Sequence, residues 1–222
     1  MSILTYPLGF IGGGDVSFYN GVIENSLRFN QGDQAYLRRS FDFSNPKCTM
    51  SWWMKYSGKD NSKFLDATGG FYEVFSDTGN PATQVYYMGY GAGDEFKTNS
   101  PQRTFRDPAA WMHVVKVTNG DASAESGQHG VDLRNQLYIN GERVRINSSS
   151  GGTGSLRWAA ATNSDISASG TSSFDGCMAD MYFIEGHCLG PENFGEWKNG
   201  VWIPKEYSGA PPLIVDLSLI HI

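Results

Sequence analysis

The chain has 222 residues, of which 40% are hydrophobic, 14% aromatic and 18% charged, and its formal charge is −6. That many aromatics with so few charges exclude a disordered chain, and the 27 glycines keep no three-residue period that would make it collagenous. The acidic balance argues against a nucleic-acid binder or an anionic-membrane binder, since both need clustered Lys and Arg.

A domain of this length hides roughly 70% of its unfolded surface, enough for one core. Residues 1–25 are Gly-rich and apolar with little alternation, and read as an arm that anchors assembly. No Lys or Arg precedes Arg28, so no secretory signal is expected. No window approaches the ~20 apolar residues that span a bilayer, so no membrane insertion is expected. Residues 26–207 read as the folded domain. Residues 208–222 read as a C-terminal tail that turns apolar from Leu213 after a Pro211-Pro212 break, either an edge strand or a strand offered to a neighbouring chain.

Period-two patterns dominate the domain. Strands are expected at Ser26–Phe29 and Ala35–Arg39. Then Met50, Trp52, Met54 and Tyr56 alternate with Ser51, Trp53 and Lys55, giving a strand with one strongly apolar face. Further strands are expected at Lys63–Ala67, Phe71–Ser76 and Gln84–Tyr90. Trp111 to Val117 is apolar on both faces and reads as a central strand. Leu137-Tyr138-Ile139, Asn140-Gly141 and Glu142-Arg143-Val144 form the clearest local signal, because Asn-Gly accepts the two positive φ angles of a type I′ hairpin turn. Arg143 and Arg145 alternate onto one face of that region, and they and the adjacent pair Arg38-Arg39 read as solvated strand positions. Residues 119–132 and 147–173 read as long loops. Cys177–Ile184 reads as another strand, and Pro191-Glu192-Asn193-Phe194 as a helical turn with Pro at its first position. The fold class is therefore all-β, with two packed antiparallel sheets.

Three cysteines, Cys48, Cys177 and Cys188, are an odd number without metal-ligand spacing and read as free, mostly buried thiols. His113 lies within an apolar strand and reads as a hydrogen-bonded core imidazole. His187 beside Cys188 lacks the further ligands of a zinc site.

Four pieces of this pattern resemble the laminin-G-like branch of the concanavalin A-like lectin/glucanase superfamily. They are Met50-Ser51-Trp52-Trp53-Met54-Lys55, Trp111-Met112-His113-Val114, Leu137-Tyr138-Ile139-Asn140-Gly141, and Phe174-Asp175-Gly176 followed by Ala179-Asp180. The resemblance implies a jelly-roll sandwich. A later stretch resembles a version common in tailed bacteriophages: Tyr182-Phe183-Ile184-Glu185-Gly186, Phe194-Gly195-Glu196 and Trp202-Ile203-Pro204-Lys205. Glu185 stands where those proteins carry Asp. This second resemblance implies a virion structural protein, a tail fibre, appendage or capsid decoration, made in the host cytoplasm. Its partners would be other virion proteins, copies of itself in a homo-oligomer, and a host-surface glycan.

Catalysis is not expected. Glucanases of this superfamily place carboxylates about 5–5.5 Å apart by a Glu-x-Asp-x-x-Glu strand, and the chain has no such run. Glu73 with Asp77 and Glu192 with Glu196 have the wrong spacing, and nucleophile and phosphate-loop motifs are absent. A free-standing lectin and a glycoside hydrolase-like protein are the alternatives. The candidate sugar site is Tyr86, Tyr90 and Trp158 for stacking, with Asp94 and Asn99 for hydroxyls. No cofactor is expected. Calcium is the one metal the loops could serve, through Asp94-Glu95, Asp121 and Asp165, although their spacing singles out no ligand group.

Overall fold

The structure, a computed structural model, describes residues 22–39, 45, 47–57, 62–67, 71–76, 85–89, 96–97, 107, 110–119, 135–144, 147–148, 164–167 and 172–209. Within these, residues 39, 67, 71–76, 85–89, 96–97, 135, 147–148 and 164 are described as backbone only. The first strands are β1 (Leu27–Phe29), β2 (Leu37–Arg39), β3 (Lys47–Tyr56), β4 (Ser62–Ala67) and β5 (Phe71–Ser76). There follow β6 (Val85–Gly89), β7 (Phe96–Lys97), β8 (Met112–Asn119), β9 (Asn135–Ile139) and β10 (Glu142–Val144). The last are β11 (Asn147–Ser148), β12 (Ser164–Ile166), β13 (Gly176–Glu185), β14 (Gly195–Lys198) and β15 (Val201–Pro204).

Two antiparallel sheets carry the fold, as expected. One has the order β1-β13-β3-β8-β9-β10, and the other β11-β7-β6-β5-β4-β12-β2. β3 and β8 are the two middle strands of the six-stranded sheet, which is why Trp111–Val117 reads as apolar on both faces. No described helix is long and apolar enough to cross a membrane.

Alternation along β3 and β8 sorts the side chains. Met50, Trp52, Met54, Tyr56, Met112 and Val114 turn inward and join Phe64, Leu65, Ile166 and Phe174 in one core. Trp52 meets Phe64 from the other sheet at 5.4 Å between ring centroids, so the aromatics interlock the two layers. In β13 the register shifts between Ala179 and Tyr182, with Asp180 at φ 49°. The extra residue flips the parity, so that Met178 before it and Met181 and Phe183 after it all reach the same core.

The 137–144 hairpin turns as its residues require, with Asn140 at φ 50° and Gly141 at φ 78°. Pro191–Asn193 is a 3-10 turn with Pro at its start. Three expectations need correction. Residues 147–173 are not one loop, since β11 and β12 lie within that stretch and β12 pairs with both β4 and β2. The thiols are not mostly buried: Cys48 is buried, Cys177 half-buried and Cys188 exposed. Arg38 is not merely solvated, because it is tied to a carboxylate on β12 and sits 4.9 Å over the Tyr36 ring.

Candidate functional site

The other face of the six-stranded sheet holds the chemistry. There Ser51, Trp53, His113, Val115 and Val117 alternate with the core residues, and the outer face of a two-sheet sandwich would ordinarily meet water. Instead the chain after β13 folds back over it. Phe194, fully buried, joins Val115, Val117 and Ile184 in a second apolar cluster, with Tyr138, Tyr182, Leu189 and Tyr207 packed around. Phe194 and Tyr207 stack at 5.0 Å. The hairpin β14–β15 closes this cap through a second Asn-Gly turn, with Asn199 at φ 51° and Gly200 at φ 79°.

His113 fastens the cap. Its ring is wholly buried, stacked on Trp53 at 4.8 Å and on Trp202 of β15 at 6.0 Å. Trp202 Nε1–H donates to His113 Nδ1 at 2.9 Å, so that nitrogen carries no proton. The remaining proton sits on Nε2, which donates to Ser51 Oγ at 2.8 Å. Burial drives the imidazole down from 6.5 to about 3, because this pocket has no place for the charged ring.

Glycine lets Trp202 lie where it does. A Cβ on Gly141 or on Gly195 would stand 2.5 Å from the Trp202 ring. The Asn140-Gly141 turn thus serves twice: Gly141 admits the indole, and Asn140 Oδ1 accepts the His113 backbone N–H at 2.8 Å. Trp197, across the hairpin from Trp202, packs edge-on to it at 5.5 Å and is 53% exposed.

Beside this stack opens a cavity of about 580 Å³. Trp53, Trp111 and Trp202 line it, with Ile203 from the cap and Glu24 and Asn25 from the segment before β1. Trp111 is 40% exposed, whereas Trp53 is 7% exposed and its buried indole N–H has no hydrogen-bond partner among the described residues. Such a volume lies within the range of small-ligand pockets, and a buried orphan donor is uncommon in a native protein.

None of the residues proposed from sequence is among the described residues that line this cavity. Tyr86 falls in β6, where it pairs with Phe75 of β5. Tyr90, Asp94, Asn99 and Trp158 fall outside the described residues, as do Glu95 and Asp121. Asp165 is no loop ligand: it is buried on β12, where Arg38 Nε and Nη2 donate to its two oxygens at 2.7 and 2.8 Å. That bidentate bond holds the Arg38 guanidinium above its ordinary pKa. Asp175 is likewise taken by Arg28 at 2.6 Å. No group of three or more His, Cys, Asp or Glu that could hold a metal occurs among the described residues. Sequence reasoning missed Trp53 and Trp111 as wall residues. Their signal was present in aromatics at an outward position of β3 and just before β8, where solvent-facing polar residues would be usual.

The sequence profile of Laminin_G_3, described as the concanavalin A-like lectin/glucanases superfamily, matches residues 29–192. The chain belongs to this family. The hairpin carrying Trp202 lies beyond the matched residues. No curated protein sequence matches the chain. Among solved structures it is similar to the native heptameric SAP-like pentraxin from Limulus polyphemus. That similarity has 13% identity and a TM-score of 0.47, over 69% of this chain and 70% of the other. It is also similar to domain 4 of AbnA, a GH43 extracellular arabinanase from Geobacillus stearothermophilus solved with arabinotriose. There the identity is 14% and the TM-score 0.44, over 67% of this chain and 65% of the other. By the family match, the concanavalin A-like sandwich is the frame on which the capped outer face is built.

Proposed function

We propose that this Laminin_G_3 chain is a non-catalytic structural protein of a tailed-phage virion, displayed on the tail or capsid, that also recognises a surface ligand. The observation that carries the assembly half is the cap. The segments resembling the phage proteins are the ones that build it: Phe194 fills the second apolar cluster, Gly195 admits Trp202, and Trp202 bonds His113. Lys205, also in that pattern, bonds back onto the cap through Phe194 O and Glu192 O. A motif spent on closing its own domain leaves residues 1–25 and 208–222 as the segments for contact with other virion proteins and with further copies.

The non-catalytic part rests on the carboxylates. Asp165 and Asp175, the buried ones among the described residues, are both bound to arginine and so are poorly placed for acid–base work. Mass spectrometry of purified particles is the test. The protein is expected at a stoichiometry matching a symmetric virion position, and its absence from particles would end the assembly reading. Incubation with polysaccharides is expected to release no reducing ends.

A second reading, a free-standing carbohydrate-binding lectin, is favoured by one observation, the tryptophan-lined cavity. It predicts sugar binding by a protein that particles lack.

A further inference from the structure

We infer that the cavity between the six-stranded sheet and the C-terminal cap is the seat of the chain's own N-terminal arm, whose residues 3–11 dock apolar side chains against Trp111 and Val201. This goes beyond the reading above and can fail while the virion role stands.

Position singles out the arm. Ile23, Glu24, Asn25 and Ser26 belong to the cavity wall, and the described chain begins at Val22. Residues 1–21 are therefore tethered at the rim of the cavity itself. Ten residues, 12–21, separate Ile11 from Val22. A chain of that length spans up to ~33 Å, enough to double back into a space of about 580 Å³. Gly12-Gly13-Gly14 falls in that stretch, and glycine turns in either direction without a steric penalty. So short a tether supplies an effective concentration of about millimolar, which any ligand from solution would have to match.

The C-terminal tail is worse placed. After β15, Lys205 N–H donates to Phe194 O, and Tyr207 packs on Phe194 at 5.0 Å and on Tyr182 at 5.5 Å. The described chain thus ends beside the second apolar cluster, none of whose members lines the cavity.

Surface chemistry agrees with position. Five large apolar side chains are exposed among the described residues; Trp111 and Val201 line this cavity, and Val22 immediately precedes its wall. Exposed apolar surface gathered at one place marks a contact site. The arm can supply the cover, since Ile3, Leu4, Tyr6, Leu8, Phe10 and Ile11 lie within nine residues. Charge matches too. The described lining residues include Glu24 and no Lys or Arg, and Asp15 is the only charged side chain among residues 1–21, outside the docking stretch. Residues 3–11 can therefore enter without burying an unpaired charge. An arm seated there also covers the tryptophans that favour the lectin reading.

The test uses a fluorescein-labelled peptide of residues 1–14, the full chain, and the full chain carrying Leu8→Asp and Phe10→Asp, with anisotropy as the readout. The double variant vacates the cavity and is expected to bind the peptide saturably. Wild type, already filled, is expected to bind it about tenfold or more weakly. Adding Trp111→Ala to the double variant is expected to weaken binding about tenfold. A second measurement needs no charged arm: benzoylphenylalanine at position 10 of the full chain is expected, on illumination, to cross-link within one chain to the peptides carrying Trp111 or Val201. No saturable binding by the double variant overturns the inference. So does equal binding by wild type and the double variant, or binding that Trp111→Ala leaves unchanged. Cross-links that fall elsewhere in the chain overturn it as well. Cross-linked products of twice the chain mass do the same, and assign the arm to a neighbour's cavity.

Discussion

The two faces of β3 and β8 carry different kinds of packing from the same backbone. Inward, Met50, Trp52, Met54 and Val114 are covered by the second sheet, and any well-filling apolar set would serve. Outward, Ser51, Trp53 and His113 are covered by a hairpin some 90 residues later in sequence, through one specific chain of hydrogen bonds from Trp202 to His113 to Ser51. The inner face is therefore tolerant in identity but costly to empty. The outer face loses less when one contact goes, yet it depends on the protonation state of a single ring. The cavity opens on the side whose packing is directional.

Emptying the inner face is expected to have the largest effect. Trp52 is wholly buried, meets Phe64 across the sheets, and gives its N–H to Met54 Sδ at 3.3 Å. Trp52→Ala is expected to cost about 3–5 kcal/mol in a denaturant titration, from lost transfer energy plus the cavity left behind. A loss under 1 kcal/mol would mean that the sheets are not held together there.

Acid separates the faces by a different route. The unfolded His113 titrates near 6.5, while the folded ring stays neutral down to about 3. Between those values the unfolded state binds the extra proton, so stability is full above pH 6.5 and declines as pH falls. The expected loss from this residue is about 2 kcal/mol by pH 5. Denaturation midpoints at pH 7, 6 and 5 check it. His113→Gln, which cannot take up a proton in that range, should flatten the slope, and an unchanged slope would place the titrating group elsewhere.

Sequence legibility follows the same division. Period-two alternation needs only a residue's near neighbours, so β3, β4, β5, β8 and β13 were readable to within a few residues. The turn at Asn140-Gly141 was readable because its φ angles are a local demand. The twin turn at Asn199-Gly200 had equal local evidence, but Trp197-Lys198 and Val201-Trp202 are too short to show alternation. The strands β11 and β12 are two and three residues long and exist only through pairing with β7, β4 and β2, which no local pattern encodes. The cavity was illegible for a like reason. Glu24, Trp53, Trp111 and Trp202 meet only after the cap folds back, and a Trp on an outward strand position looks like a surface residue until something covers its neighbour.

The smallest expected effect sharpens how far that cover reaches. Trp197 touches Trp202 edge-on from the solvent side and is half exposed, so little apolar area is lost with it. Such an aromatic pair is worth about 0.5–1.5 kcal/mol, and Trp197→Ala is expected to lower stability by no more than that. Because Trp202 is also held by His113 and seated between Gly141 and Gly195, its position should survive the change. Thermal melts give the stability, and the hydrogen-exchange rate of the Trp202 indole N–H reports the seat directly. Slow exchange retained in Trp197→Ala would show that the histidine bond and the glycine seat fix the cap on their own. Fast exchange with only a small stability loss would show that the outer tryptophan clamps the hairpin onto the sheet.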